Sequence, residues 1–289
     1  MTRLPSLVVA CGLILVAAGV GHAAGEPEIV LWPESVPGPQ VPAEPAEQVT
    51  KSAKDGISRR SNVSRPRLVV YDVPRDASRP DSGKPRSAVI VVPGGGFGIL
   101  ADEHEGSDMC RWFSERGIVA FLLLHRVPTN RHAEPNEGPV LDAQQAVKLV
   151  RGRAVELGVD PRKIAVLGFS AGGQVAAVAA TKAPPERPDC VLLVYPWRIV
   201  GDKNEGLRPD LVIDASAPPM FIAQAANDTG SVPQGSLNLF SALLAAKVPV
   251  ELHIYEGGGH GFGMQKRDNA PGTSDWPNRA LDWLRTRGW

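Results

Sequence analysis

The chain has 289 residues with 31 basic and 31 acidic side chains, so its formal net charge is zero. No long-range field therefore exists to gather nucleic acid or an anionic membrane surface. That length and a hydrophobic content of 43% suit one large globular core, and three cysteines are too few for a disulfide framework.

Arg3, the apolar run Leu7–Val20 and the small residues Gly21, Ala23 and Ala24 read as an export signal over residues 1–24, cleaved after Ala23 or Ala24. The run is shorter than the roughly 20 residues of a membrane-spanning helix, and no second one follows. The expectation is an exported protein, periplasmic or secreted, that leaves the membrane once the signal is removed. The alternative is an uncleaved anchor. Cys110 and Cys190 then remain, read as two small buried hydrophobes, with a disulfide in an oxidising compartment as the alternative.

Residues 25–66 form a proline-rich lead-in. Glu28–Trp32 reads as a short docked strand, but Trp32–Arg60 shows no helix or strand period and is predicted to be extended. From 67 to 289, short apolar runs alternate with helical patterns. The predicted strands are Leu68–Tyr71, Ala88–Val92, Ile118–Leu124, Ile164–Phe169, Cys190–Tyr195, Met220–Gln224 and Val250–Tyr255. The predicted helices are Ser107–Arg116, Val140–Leu157, Ala171–Lys182, Gln234–Ala246 and Trp276–Arg285. Near-continuous apolar strands imply burial on both faces, hence an α/β fold with a mostly parallel sheet flanked by helices.

After the strand Ala88–Val92 comes Pro93-Gly94-Gly95-Gly96-Phe97-Gly98. Glycines there expose backbone N–H groups, and Gly95 and Gly96, together with Ala171, are the expected donors to an oxyanion. A phosphate-binding loop is the alternative, but both the G-x-G-x-x-G register and a Gly-Lys-Ser/Thr ending are missing. Asp102, Glu103 and Glu105 read as acids in the first turn of the next helix, with Glu105 also a candidate buttress of the glycine loop.

Gly168-Phe169-Ser170-Ala171-Gly172 follows an apolar strand and opens an alanine-rich helix, the setting that G-x-S-x-G requires for a nucleophilic serine. An ordinary N-cap serine is the alternative. The stretch Pro196–Pro219 has no period and reads as a lid or substrate wall. The orienting acid is expected at Asp228, after the strand Met220–Gln224; Asp214 and Asp202 are alternatives. A serine hydroxyl needs a base, and His260 in Gly257-Gly258-Gly259-His260-Gly261-Phe262-Gly263 follows the last strand. His104 is its rival. Phe97, Leu100, Trp197 and Phe262 are candidates to line an acyl or sugar pocket, with plain core as the alternative.

With these residues in place, the chain resembles the α/β-hydrolase esterases related to acetyl xylan esterases and bacterial feruloyl esterases. The resemblance covers most of the chain from about Leu68 onward. It is carried by VVPGGGFG with DEHEG, LDAQQAVKLVRGRA, DPRKIAVLGFSAGGQVAA, LLVYPW, APPMFIAQAANDTGSVP and ELHIYEGGGHGFG before SDWPNRALDWL. Pro93 departs from the wider group, in which the glycine loop often begins with histidine. The resemblance implies an acyl-ester hydrolase without cofactor or metal, with Ser170, Asp228 and His260 as its triad and a small ester or acylated carbohydrate as substrate. Two other readings stay open: a serine peptidase related to prolyl oligopeptidases, and a catalytically silent binding protein on a hydrolase fold.

Overall fold

A computed structural model describes residues 26–72 and 83–289; the export signal expected at 1–24 lies outside them. In chain order the strands and helices are β1 (Glu28–Val30), β2 (Gln48–Lys51), β3 (Ser58–Ser61), β4 (Arg67–Tyr71), β5 (Arg86–Val92), α1 (Asp108–Ser114), β6 (Val119–Leu124), α2 (Glu137–Gly152), α3 (Ala154–Leu157), β7 (Val159–Phe169), α4 (Ser170–Ala179), β8 (Cys190–Val194), β9 (Met220–Ala225), α5 (Pro233–Ala245), β10 (Val250–Tyr255) and α6 (Trp276–Arg285).

An 8-stranded sheet in the order β1-β4-β6-β5-β7-β8-β9-β10 organises the chain. β1 and β4 join antiparallel, and every pairing from β6 through β10 is parallel. Successive side chains of a strand point to opposite faces, so the apolar runs split into two layers. Leu68, Ile90, Phe121, Val166 and Leu193 pack with α2, α4 and α5. Val69, Val91, Leu122, Leu167 and Leu192 pack with α1 and α6. Burial on both faces is why these strands carry almost no polar residues.

Boundaries differ where local chemistry overrides the apolar pattern. α2 begins at Glu137 rather than Val140, because Pro139 sits in the first turn, where an N–H has no intrahelical partner. The same pattern breaks at Arg153 and ends at Gly158, whose φ of +64° stops α3. β7 begins at Val159 rather than Ile164, and its register against β5 shifts between Arg86 and Ala88.

Within the lead-in, the strand expected at Glu28–Trp32 is present as β1, and the expectation of no strand over Trp32–Arg60 is corrected. β1 docks on β4, and β2 and β3 form an antiparallel hairpin that pairs Gln48 with Ser61 and Lys51 with Ser58. QVTK and SRRS carry no apolar alternation, and β2 is exposed throughout, so hydrophobic pattern could not reveal them. Charge holds them instead. Arg60 pairs with Glu47 and with Asp102 at 2.7 Å, Arg67 reaches Glu28 and Glu47, and Glu103 accepts the Ser58 N–H at 2.7 Å. Cys110 and Cys190 are both free and buried, which pushes their thiols well above the usual range.

Candidate active site

Ser170 follows directly on β7 and begins α4 with a left-handed φ of 49°, a conformation that a non-glycine residue holds only under constraint. The constraint comes from close backbone packing. A Cβ at Gly168 would lie 2.2 Å from the Gly172 carbonyl, and one at Gly172 would lie 2.2 Å from that of Val92. Glycine at both positions is thus a steric requirement of the turn.

The Ser170 Oγ lies 2.9 Å from His260 Nε2, and His260 Nδ1 lies 2.9 Å from Asp228 Oδ2 and 3.2 Å from Oδ1. Asp228 stands just past β9 and is buried. Its desolvation is offset by hydrogen bonds from the N–H groups of Gly230 and Ser231, both 2.8 Å, and from the Gln224 amide at 3.2 Å. Asp214 is exposed, and the side chain of Asp202 lies outside the described residues.

His260 rides on a loop whose glycines at 258, 259, 261 and 263 all have positive φ. The Arg267 guanidinium ties that loop together through the carbonyls of Gly258, His260 and Gly261. Gly230 lies so close to the imidazole that a Cβ there would stand 2.8 Å from His260 Cγ. His104, the rival base, is buried with its Nε2 3.6 Å from Glu105 Oε1.

In the glycine loop, the Gly94 N–H donates to Glu105 Oε2 at 2.9 Å, so Glu105 braces the loop. Among the described residues no backbone carbonyl accepts the N–H of Gly95 or Gly96. Their backbones, and that of Phe97, take φ values of 132°, 60° and 61°. Ala171 lies in the first turn of α4, where an N–H has no partner within the helix.

The apolar candidates separate by depth. Trp197 is half-buried, packs on Phe97 at 6.0 Å, and gives its backbone N–H to the Ser170 carbonyl at 2.8 Å. Phe262 differs from expectation as a lining residue: it is fully buried, with its ring 4.5 Å from that of Tyr195. Leu100 and Phe97, the latter also expected to line the pocket, are likewise core. Sequence reasoning gave no role to Gln224, Arg267 or Tyr195. For Gln224 the signal was a polar residue inside the buried run MFIAQA; Arg267 left none. Asp102 and Glu103 stand, as read, at the start of a short helical turn, Glu103–Ser107, and also tie the N-terminal hairpin to it.

Comparison with known proteins bears on family and fold. An acetylxylan esterase of Xylanibacter ruminicola is 32% identical over 202 residues, covering 61% of this chain and 41% of the relative. The chain thus spans less than half of that relative's length. Among solved structures, an acetyl ester-xyloside bifunctional hydrolase from Caldicellulosiruptor lactoaceticus is 29% identical, with a TM-score of 0.70 over 90% of this chain and 96% of the other. A thermophilic esterase of Thermogutta terrifontis with propionate bound is 28% identical, with a TM-score of 0.62 over 86% and 96%. These neighbours share the α/β-hydrolase fold, and since the family model matches residues 77–288, the chain belongs to the dienelactone hydrolase family.

Proposed function

We propose that this hydrolase is a serine esterase that removes short acyl groups, acetyl above all, from carbohydrate. Ser170 Oγ attacks the ester carbonyl while His260 Nε2 takes its proton. The N–H groups of Gly95, Gly96 and Ala171 receive the oxyanion, and collapse expels the alcohol with the proton returned from His260. Water activated by the same imidazole then cleaves the acyl-enzyme. Asp228 holds the tautomer and stabilises the imidazolium without taking the proton.

One observation carries this reading: a serine hydroxyl, an imidazole and a buried carboxylate stand in unbroken hydrogen-bond contact at 2.9 Å and 2.9 Å. The names of the relatives favour ester over peptide. A cavity of about 90 Å³ lies between Trp197, Ile199, Gly230 and Val232, and two of its lining residues touch the triad, Trp197 through its N–H to the Ser170 carbonyl and Gly230 against the His260 ring. The half-buried Trp197, with the buried Phe97 packed behind it, offers an aromatic face for a sugar ring. In this reading residues 67–289 carry the chemistry, residues 25–66 wrap them, and the N-terminal signal delivers the enzyme to polysaccharide outside the cytoplasm.

The test is purified mature protein against p-nitrophenyl acetate, acetylated xylan, methyl ferulate and a proline-containing peptide anilide. Acetate release from the first two is expected. Turnover of the peptide alone would replace the esterase by a peptidase. No turnover of any, with no labelling of Ser170 by a fluorophosphonate, would leave a binding protein.

A further inference from the structure

β5, β7 and β8 lie side by side in the sheet. Just past their carboxyl ends stand three non-glycine residues in left-handed backbone, Phe97 at φ 61°, Ser170 at 49° and Tyr195 at 39°. Such backbone is strained and persists only where surroundings over-determine it. Ser170 has its explanation in the relay. Tyr195 takes no part in that relay, yet it is fully buried, with its ring edge-on to the His260 imidazole at 5.1 Å.

The Tyr195 hydroxyl donates to Glu105 Oε1 at 2.9 Å and accepts the Gly263 N–H at 2.8 Å. The other Glu105 oxygen accepts the Gly94 N–H at 2.9 Å. One buried chain of hydrogen bonds therefore runs from the glycine loop, through Glu105 and Tyr195, to the loop that carries His260. Gly94 immediately precedes Gly95 and Gly96, and a Cβ on it would stand 2.8 Å from the Ser170 Cβ. Both ends of the chain are thus next to reacting groups. A purely structural need at this depth would be met as well by apolar side chains of similar volume, without the desolvation of a carboxyl and a phenol.

We propose that Glu105 and Tyr195 are positioning residues: they fix the separation between the oxyanion loop and the imidazole loop, so that the Gly95 and Gly96 donors and His260 meet the same substrate carbonyl. The inference rests on the esterase reading. It predicts that loosening the chain harms the transition state more than the bound ester, because donors aimed at a developing charge lose their value when displaced.

The experiment uses the mature protein, p-nitrophenyl acetate, and phenylboronic acid as a tetrahedral mimic. Tyr195→Phe keeps the ring and removes the hydroxyl; Glu105→Gln removes one acceptor. For each, kcat is expected to fall roughly ten- to a hundredfold with KM within about twofold, and boronate affinity to fall in parallel with kcat. The double variant is expected to be no worse than the poorer single one, since both break one chain. Unchanged kcat, a rise confined to KM, unchanged boronate affinity, or multiplying losses would each overturn the inference. Should Tyr195→Phe fail to fold, Glu105→Gln decides by the same criteria. Wild-type turnover and Ser170 labelling run alongside. An active wild type with indifferent variants refutes the positioning role alone, and an inert wild type refutes the esterase reading with it.

Discussion

The lead-in and the loops that bring Ser170, Asp228 and His260 together are ordered by opposite means. The lead-in is anchored by charge. Arg126 and Asp142 form a fully buried bidentate pair, with nitrogen–oxygen distances of 2.9 and 2.5 Å, and around it gather the Trp32 indole at 2.8 Å and the carbonyls of Pro37 and Pro39. The loops around the candidate site are fixed instead by glycine geometry and by backbone N–H groups donated to Asp228, Glu105 and Tyr195. A segment with few apolar residues can be fastened by a few strong polar points, each of which is then critical. Loops that must present free N–H groups to a substrate need many small constraints, and no single one carries the whole load.

Several substitutions break this comparison at different depths. Ser170→Ala removes the nucleophile and leaves both kinds of anchor intact, so kcat on p-nitrophenyl acetate is expected to fall on the order of a millionfold with the urea midpoint unchanged. Asp228→Asn keeps the shape of the site but supplies the wrong hydrogen-bond partner to His260 Nδ1. About a ten-thousandfold loss in kcat is expected, again without a comparable loss of stability.

Asp142→Ala tests the other side. It strands the Arg126 guanidinium in the interior, and unfolding free energy measured in urea is expected to drop by about 3–5 kcal/mol. Ser170 labelling by a fluorophosphonate should persist where the fold does. If activity vanished while stability held, the lead-in would be part of the catalytic machinery instead of its clasp.

The smallest effect lies at the junction. His125 is buried, with Nδ1 3.1 Å from the Arg126 carbonyl and Nε2 3.4 Å from that of Pro93. Burial lowers its pKa below the ordinary 6.5. The unfolded chain then takes up a proton below that pH while the folded chain does not, so its contribution is present above 6.5 and is lost as pH falls toward the depressed value. Urea midpoints between pH 7 and about 5 should decline less in His125→Gln than in the wild type. Equal slopes would show that carboxylates alone govern the acid limb.

Legibility followed the same division. Strands such as Ile164–Phe169 and Met220–Gln224 could be read because burial on both faces leaves a continuous apolar signature. Ser170, Asp228 and His260 could be read because each sits at a glycine- or turn-marked exit from such a strand. The hairpin Gln48–Lys51 with Ser58–Ser61 could not, since its partners Asp102 and Glu103 lie some 40 positions away in the chain. Phe262 was misplaced because a phenylalanine beside a histidine in a glycine loop has the same local pattern whether it faces the pocket or the core.

The order of residues by itself determined the alternation of elements, the two-sided burial of the sheet and the small residues that a strained nucleophile turn demands, because these depend on periodicity and local sterics. Only the folded chain decided which polar groups meet: Tyr195 with Glu105, Arg126 with Asp142, Gly263 with the Tyr195 hydroxyl. Such pairings form between elements that the sheet order brings together, and hydrogen bonds leave no period in a sequence from which their partners could be read.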